Sequence, residues 1–216
     1  MKSRKLEPIL YVELVVASNL EESKMAEQDK NAETLAGQLL VAMPGMQDPR
    51  FSKTVIYMCA HNAEGAMGLV VNKIIDSISF PDLLSQLGIE STGYGDQINI
   101  HFGGPVESSR GFVLHSPDYV RDATMVVDDA LALTATVDIL KAIAKGAGPE
   151  RSLLALGYAG WGPGQLDQEI IANGWLHAPS DSDIVFGADE TAVKWEKAIG
   201  KLGIDPRMLS DVAGHA

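Results

Sequence analysis

Four glycines fall within eight residues at Gly157-Tyr158-Ala159-Gly160-Trp161-Gly162-Pro163-Gly164, and such a cluster marks a place where backbones turn or approach closely. The apolar run Ser152–Tyr158 reads as a buried strand, and Pro163 suits the first turn of a helix that reaches Asn173-Gly174. The segment therefore joins a strand to a helix. Free amides and the helix dipole converge at such a corner and can receive an anion. Neither nucleotide-loop pattern is present, because no Lys-Ser or Lys-Thr follows the glycines and the G-x-G-x-x-G spacing is missing. The simpler reading is a tight corner in which glycine lets Trp161 and the backbone pack closely.

Around that corner, strands gather early and helices late. Gln38–Met43 and Lys53–Ala60 are short apolar runs separated by Pro44-Gly45 and Asp48-Pro49. Ala66–Asn72 follows a turn at Asn62–Gly65 and reads as a hairpin partner. Ser79-Phe80-Pro81-Asp82 is a capping-box pattern that opens a short helix with Leu83, Leu84 and Leu87, ended by Gly88. Gln97–Phe102 and Gly111–His115 read as strands on either side of Gly103-Gly104-Pro105. Asp128 or Asp129 is expected to cap a longer helix with Leu133, Val137, Leu140 and Ala144 on one face. Asp183–Phe186 reads as a short strand. A helix from Asp189 turns Ala192, Trp195, Ile199 and Leu202 inward until Gly203, and Asp205-Pro206 opens a last turn. The pattern predicts an α/β fold of the α+β type, a mixed sheet with helices on its outside.

No repeat or linker interrupts the chain after Leu35, so residues 35–216 read as one domain. Residues 1–34 read as a polar extension with little fixed structure. Within them, Lys2, Arg4 and Lys5 precede the apolar run Ile9–Ala17 in the manner of a signal peptide, but Glu7, Pro8 and Glu13 interrupt it. Met25 is an alternative start. The single cysteine, Cys59, excludes an intrachain disulfide and fits a reducing cytoplasm. Lys plus Arg number 17 against 29 Asp plus Glu, a net charge of -12 that argues against nucleic acid or an anionic membrane as partner.

Chemistry-bearing residues are few. Asp167 and Glu169 stand two apart on the expected helix and face different ways, so they do not form an acid–base pair; Gln165 and Glu169, four apart, share a face. Glu169 is the better functional candidate of the two, with a structural hydrogen bond as the competing role. Cys59 and His61 alternate onto the same strand face, with Cα atoms roughly 6.5–7 Å apart, too far for a nucleophile–base pair. His61, at a strand end, suits a pocket wall or a turn cap. The five histidines are dispersed, with no metal-binding spacing; a zinc site would need strand-end histidines to converge in the fold. No nucleophile elbow surrounds Ser108 or Ser109. The sequence thus supplies no catalytic residue, metal set or cofactor motif. Its ligand-binding candidates are His61, Asn72, Gly160, Trp161, Gly164 and Glu169.

Taken in order, Leu35–Pro44 (LAGQLLVAMP), His61–Asn72 (HNAEGAMGLVVN), Gly103–Val106 (GGPV), Gly111–His115 (GFVLH), Leu156–Glu169 (LGYAGWGPGQLDQE) and the terminal Gly214-His215-Ala216 resemble the YqgE/AlgH family of small bacterial proteins. The resemblance implies a bent mixed sheet forming a pseudo-barrel flanked by helices. It implies no established activity. The family's regulatory label rests on genetic association, and this chain shows no helix-turn-helix. One departure is Ala60, where an acidic residue commonly precedes the histidine, so a role that needs an acid beside His61 finds none next to it in sequence.

Three functional readings stand. The favoured one is a non-catalytic cytosolic module, regulatory in role, that binds a protein or a small molecule. The second is an enzyme acting on a small molecule through His61, Asn72 and Glu169, which requires those side chains to meet in one cleft. The third is a transcriptional regulator, which requires a contiguous Lys/Arg face.

Overall fold

Leu39, Leu40, Val41 and Ala42 are all fully buried, so β1 (Gln38–Ala42) has no solvent face. The same holds for Val55, Ile56, Tyr57 and Met58 of β2 (Val55–Asn62), which is why both runs are continuously apolar rather than alternating. The computed structural model describes residues 34–206 and 209. The extension expected over 1–34 lies outside them apart from Thr34, as do Gly214-His215-Ala216 and the helical turn beyond Pro206.

The chain continues through β3 (Gly65–Val70), α1 (Phe80–Gln86), β4 (Ile100–Phe102), β5 (Val106–His115), β6 (Thr124–Val126), β7 (Ala132–Thr134) and α2 (Val137–Ala144). It ends with β8 (Ser152–Trp161), α3 (Gln165–Ile171), β9 (Trp175–Pro179), α4 (Ser182–Phe186) and α5 (Thr191–Gly200). The nine strands form one sheet in the order β6-β7-β5-β8-β3-β2-β1-β9, with β4 attached to β8. The β4–β8 pair is parallel and the other pairs are antiparallel, so the sheet is mixed, as expected. β8 is the hub: Leu153–Leu156 pair with β5, and Ala159–Trp161 pair with β3.

One apolar cluster takes side chains from β1, β2, β3, β5 and β8 together with Ile184 and Val185 of α4 and Trp195, Ala198 and Ile199 of α5. Strands so far apart in sheet order share one core only because the sheet curls, which gives a half-barrel closed by α4 and α5. A second cluster on the opposite face of β1–β3 holds Leu40, Ile56, Met58, Trp161, Leu166 and Trp175 beneath α3. A third places Phe80 and Leu84 of α1 and Ile139, Leu140 and Ile143 of α2 over Ile100, Val113 and Leu154.

Two expected elements are corrected. Leu133 does not begin a helix; it lies in β7, paired with Leu114 and Met125. Asp128 uses Oδ1 to accept the amides of Ala130 and Leu131 in a turn and Oδ2 to accept the Tyr57 hydroxyl, so the helix starts only after Thr136. Asp183–Phe186 is not a strand but the body of α4, because the Asp181 carboxylate accepts the Asp183 amide and caps a helical turn. By contrast, the capping box at Ser79 and Asp82 forms as the pattern predicts.

Candidate functional site

Gly157 has φ +72, and a Cβ there would stand 2.4 Å from the Gly104 carbonyl oxygen; the backbones of β8 and the 103–105 turn meet at a distance only glycine permits. Gly164 has φ +67 and forms the N-cap of α3. A Cβ at Gly160 would meet the Tyr158 ring at 3.1 Å and the Val106 side chain at 3.7 Å. At the start of α3 the Gly162 amide donates to Gln165 Oε1 at 3.0 Å.

Glu169 is tied on every side. Its Oε2 accepts the indole N–H of Trp161 at 2.9 Å and that of Trp175 at 2.8 Å, while Oε1 accepts Gln165 Nε2 at 2.8 Å. The two indoles meet edge to face, with centroids 6.0 Å apart, and Phe51 packs on Trp175 in the same manner. Trp161, Trp175 and Glu169 thereby fasten β8, β9 and α3 to one another. Gln165 and Glu169 do share a face, and Asp167 points elsewhere.

Asp167 faces His61. The expected shared face of Cys59 and His61 is broken by a bulge between Met58 and Ala60, which leaves Cys59 unpaired and sets His61 opposite Ala66. Cys59 stays in the core under α4 and α5, where burial pushes its thiol up to about 12, and His61 moves to the α3 face. There His61 Nδ1 accepts the Leu35 amide at 3.2 Å, and Nε2 lies 3.8 Å from Asp167 Oδ1. The acidic neighbour missing at Ala60 is thus supplied from α3.

Asn72 belongs to another place. Its Oδ1 accepts the Val55 amide, and its Nδ2 donates to the carbonyls of Lys53 and Thr191. Val55 and His61 are at opposite ends of β2, so Asn72 and His61 are separated by roughly 20 Å of strand. His61, Asn72 and Glu169 therefore do not meet in one cleft. Nor do the strand-end histidines converge: His115 is fully buried and held by Ser116 O and Thr134 Oγ1, while His101 lines a pocket with Asn72.

That pocket, of about 240 Å³, opens between β4, the start of β8 and the α4–α5 connection. Lys194 of α5 lines it and is only 2 % exposed; its ammonium donates to Val71 O and Val185 O, each at 3.0 Å. Burial lowers its pKa to about 8, with nearby Asp189 opposing that shift. His101, 9 % exposed, has an Nδ1 with no hydrogen-bond partner. Burial, and then the charge on Lys194, lower its pKa to about 4; the carbonyls of Leu154 and Asn99 pull the other way without a well-formed bond to Nδ1. A buried amine and an imidazole whose Nδ1 lacks a partner share this pocket, and both titrate well below their usual values. Across these residues, no three His, Cys, Asp or Glu side chains gather as a metal site would require.

Comparison with known proteins decides the family. The model of the AlgH-like family matches residues 39–207. The chain belongs to the YqgE/AlgH family. Among its relatives are a UPF0301 protein of Rhodospirillum rubrum, 60% identical over 84% of this chain and 94% of that protein, and one of Rhodopseudomonas palustris, 53% identical over 93% and 97%. The solution structure of the AlgH protein from Pseudomonas aeruginosa is similar, with a TM-score of 0.70 at 40% identity, covering 88% of this chain and all of that one. A crystal structure of a Corynebacterium diphtheriae protein shares the fold at 22% identity and a TM-score of 0.59, over 80% of this chain and 88% of that one. The family match and these relatives fix the YqgE/AlgH fold and assign no activity.

Sequence reasoning named Asn72 but missed His101 and Lys194. One signal was available for Lys194: it stands four residues before Ala198, within a buried helical stripe where a lysine is out of place. For His101 there was none, since only the curl of the sheet brings β4 opposite α5.

Proposed function

We propose that this YqgE/AlgH protein is a non-catalytic cytosolic module that binds a small molecule in the pocket lined by Asn72, His101, Ser152 and Lys194. The observation that carries the reading is Lys194, almost wholly buried in the wall of a pocket that His101, whose Nδ1 lacks a partner, also lines. Burying a cation against two neutral carbonyls costs stability, and strongly perturbed groups that line a pocket cluster at functional sites. At about 240 Å³ the pocket is below the usual range for drug-sized ligands, which favours a compact metabolite. The lone, buried Cys59 and the acidic composition are compatible with a reducing cytosol, and no helix among the described residues is long and apolar enough to cross a membrane.

A fragment screen followed by amide chemical-shift mapping tests the reading. Neutral and charged fragments are expected to perturb Asn99, His101, Ser152 and Lys194 together. A screen whose hits all fall around Trp161 and Glu169, or that finds none at millimolar concentration, overturns it.

A further inference from the structure

Lys194 also indicates the charge of the ligand. This step rests on the pocket being the binding site. An ammonium donates three hydrogen bonds, and the carbonyls of Val71 and Val185 take two. None of the ion pairs among the described residues includes Lys194. The acidic residue in the pocket wall, Asp189, is already paired with Lys197. One N–H of a buried cation is therefore left for a ligand, and an anionic oxygen is the partner that best offsets its desolvation.

The rest of the wall narrows the class. His101 is neutral at pH 7 and adds no second positive charge. Asn99 and Ser152 supply neutral hydrogen-bonding groups, while Ile98, Leu153 and Phe186 supply apolar surface. The volume is that of roughly eight water molecules, enough for a molecule of about ten non-hydrogen atoms. We infer that the pocket takes a small organic monocarboxylate, its carboxylate on the free N–H of Lys194 and its apolar body against Ile98 and Phe186. A dianionic phosphate would bring a charge that one lysine does not balance.

The experiment titrates the full chain with benzoate, phenylacetate and isobutyrate, with their neutral amides, and with phenyl phosphate, by calorimetry and amide chemical shifts. At least one acid is expected to bind about tenfold or more tightly than its amide, with Lys194→Met abolishing that preference. A pH series on the unmodified protein guards against a misfolded variant. The titratable groups facing Lys194 are His101 on β4, Asp189 before α5 and Lys197 on α5; β3, β8 and α4 present none in the wall. His101 is neutral above pH 7, so affinity for the acid should fall about tenfold per pH unit above about 8 while the amide stays flat. Amides binding as well as acids would overturn the charge assignment and leave the pocket standing. Tighter binding of phenyl phosphate would overturn the carboxylate class. Failure of every probe would remove the inference and count against the pocket itself.

Discussion

The indole N–H of Trp175 donates to Glu169 Oε2 over 2.8 Å, and that same oxygen accepts Trp161. Glu169 lies on α3, Trp161 ends β8 and Trp175 begins β9, so one carboxylate oxygen holds a strand, a helix and the next strand in their turns. Trp161 and Trp175 are 7 % and 3 % exposed, which makes their N–H groups costly to leave without an acceptor. The strand-to-helix corner is thus held together through the Glu169 carboxylate.

Glu169→Ala should strand both indole N–H groups and lower stability by about 2–4 kcal/mol, read as a shift of the urea midpoint with little change in slope. Glu169→Gln keeps one oxygen for the indoles but turns an amide toward Gln165, so a smaller loss is expected. Fragment binding in the Lys194 pocket should survive in Glu169→Gln. Loss of binding without loss of stability would show that Glu169 acts on a ligand directly.

Asn72 has a different dependence. Its amide satisfies the Val55 N–H and the carbonyls of Lys53 and Thr191, joining β2 to the first turn of α5. Asn72→Ala takes away the acceptor of the buried Val55 amide and the side-chain donor to the Lys53 carbonyl, and should cost about 2–4 kcal/mol. Because Lys194 lies on the same helix, the loss should be accompanied by faster amide exchange in 191–195 than in α3. Uniform exchange throughout the chain would contradict this local role.

How much of this was legible in the sequence depends on range. The capping box at Ser79, the β2–β3 hairpin and the Gln165–Glu169 pairing follow from spacings of three to about ten residues, and each formed. Leu133 misled because Asp128 spends its carboxylate on a turn and on Tyr57, a partner seventy-one residues away. β9 was missed because Trp175–Pro179 has no β-branched residue and gains its strand character by lying in register with β1, Leu39 opposite Ala178 and Val41 opposite Leu176. His61 was placed on the wrong face because one bulged residue, Cys59, reverses every later side chain. The pocket was hidden for the same kind of reason: His101 and Lys194 are brought together by sheet curvature, which leaves no local pattern.

His101 provides a pH test with a defined sign. In the unfolded chain its imidazole takes a proton near pH 6.5; in the folded protein, burial and Lys194 delay that to about pH 4. Between those values the unfolded state binds the extra proton, so acidification favours unfolding. The contribution is fully present above pH 6.5, shrinks as pH falls and is lost by pH 4, amounting to about 3 kcal/mol across the window. His101→Gln, which does not titrate, should therefore show a shallower decline of unfolding free energy between pH 6.5 and pH 4 than the unmodified protein. The two curves are measured in urea at several pH values. Parallel curves would mean that His101 takes up its proton alike in the folded and unfolded chain, so that below pH 6.5 the pocket carries a second positive charge.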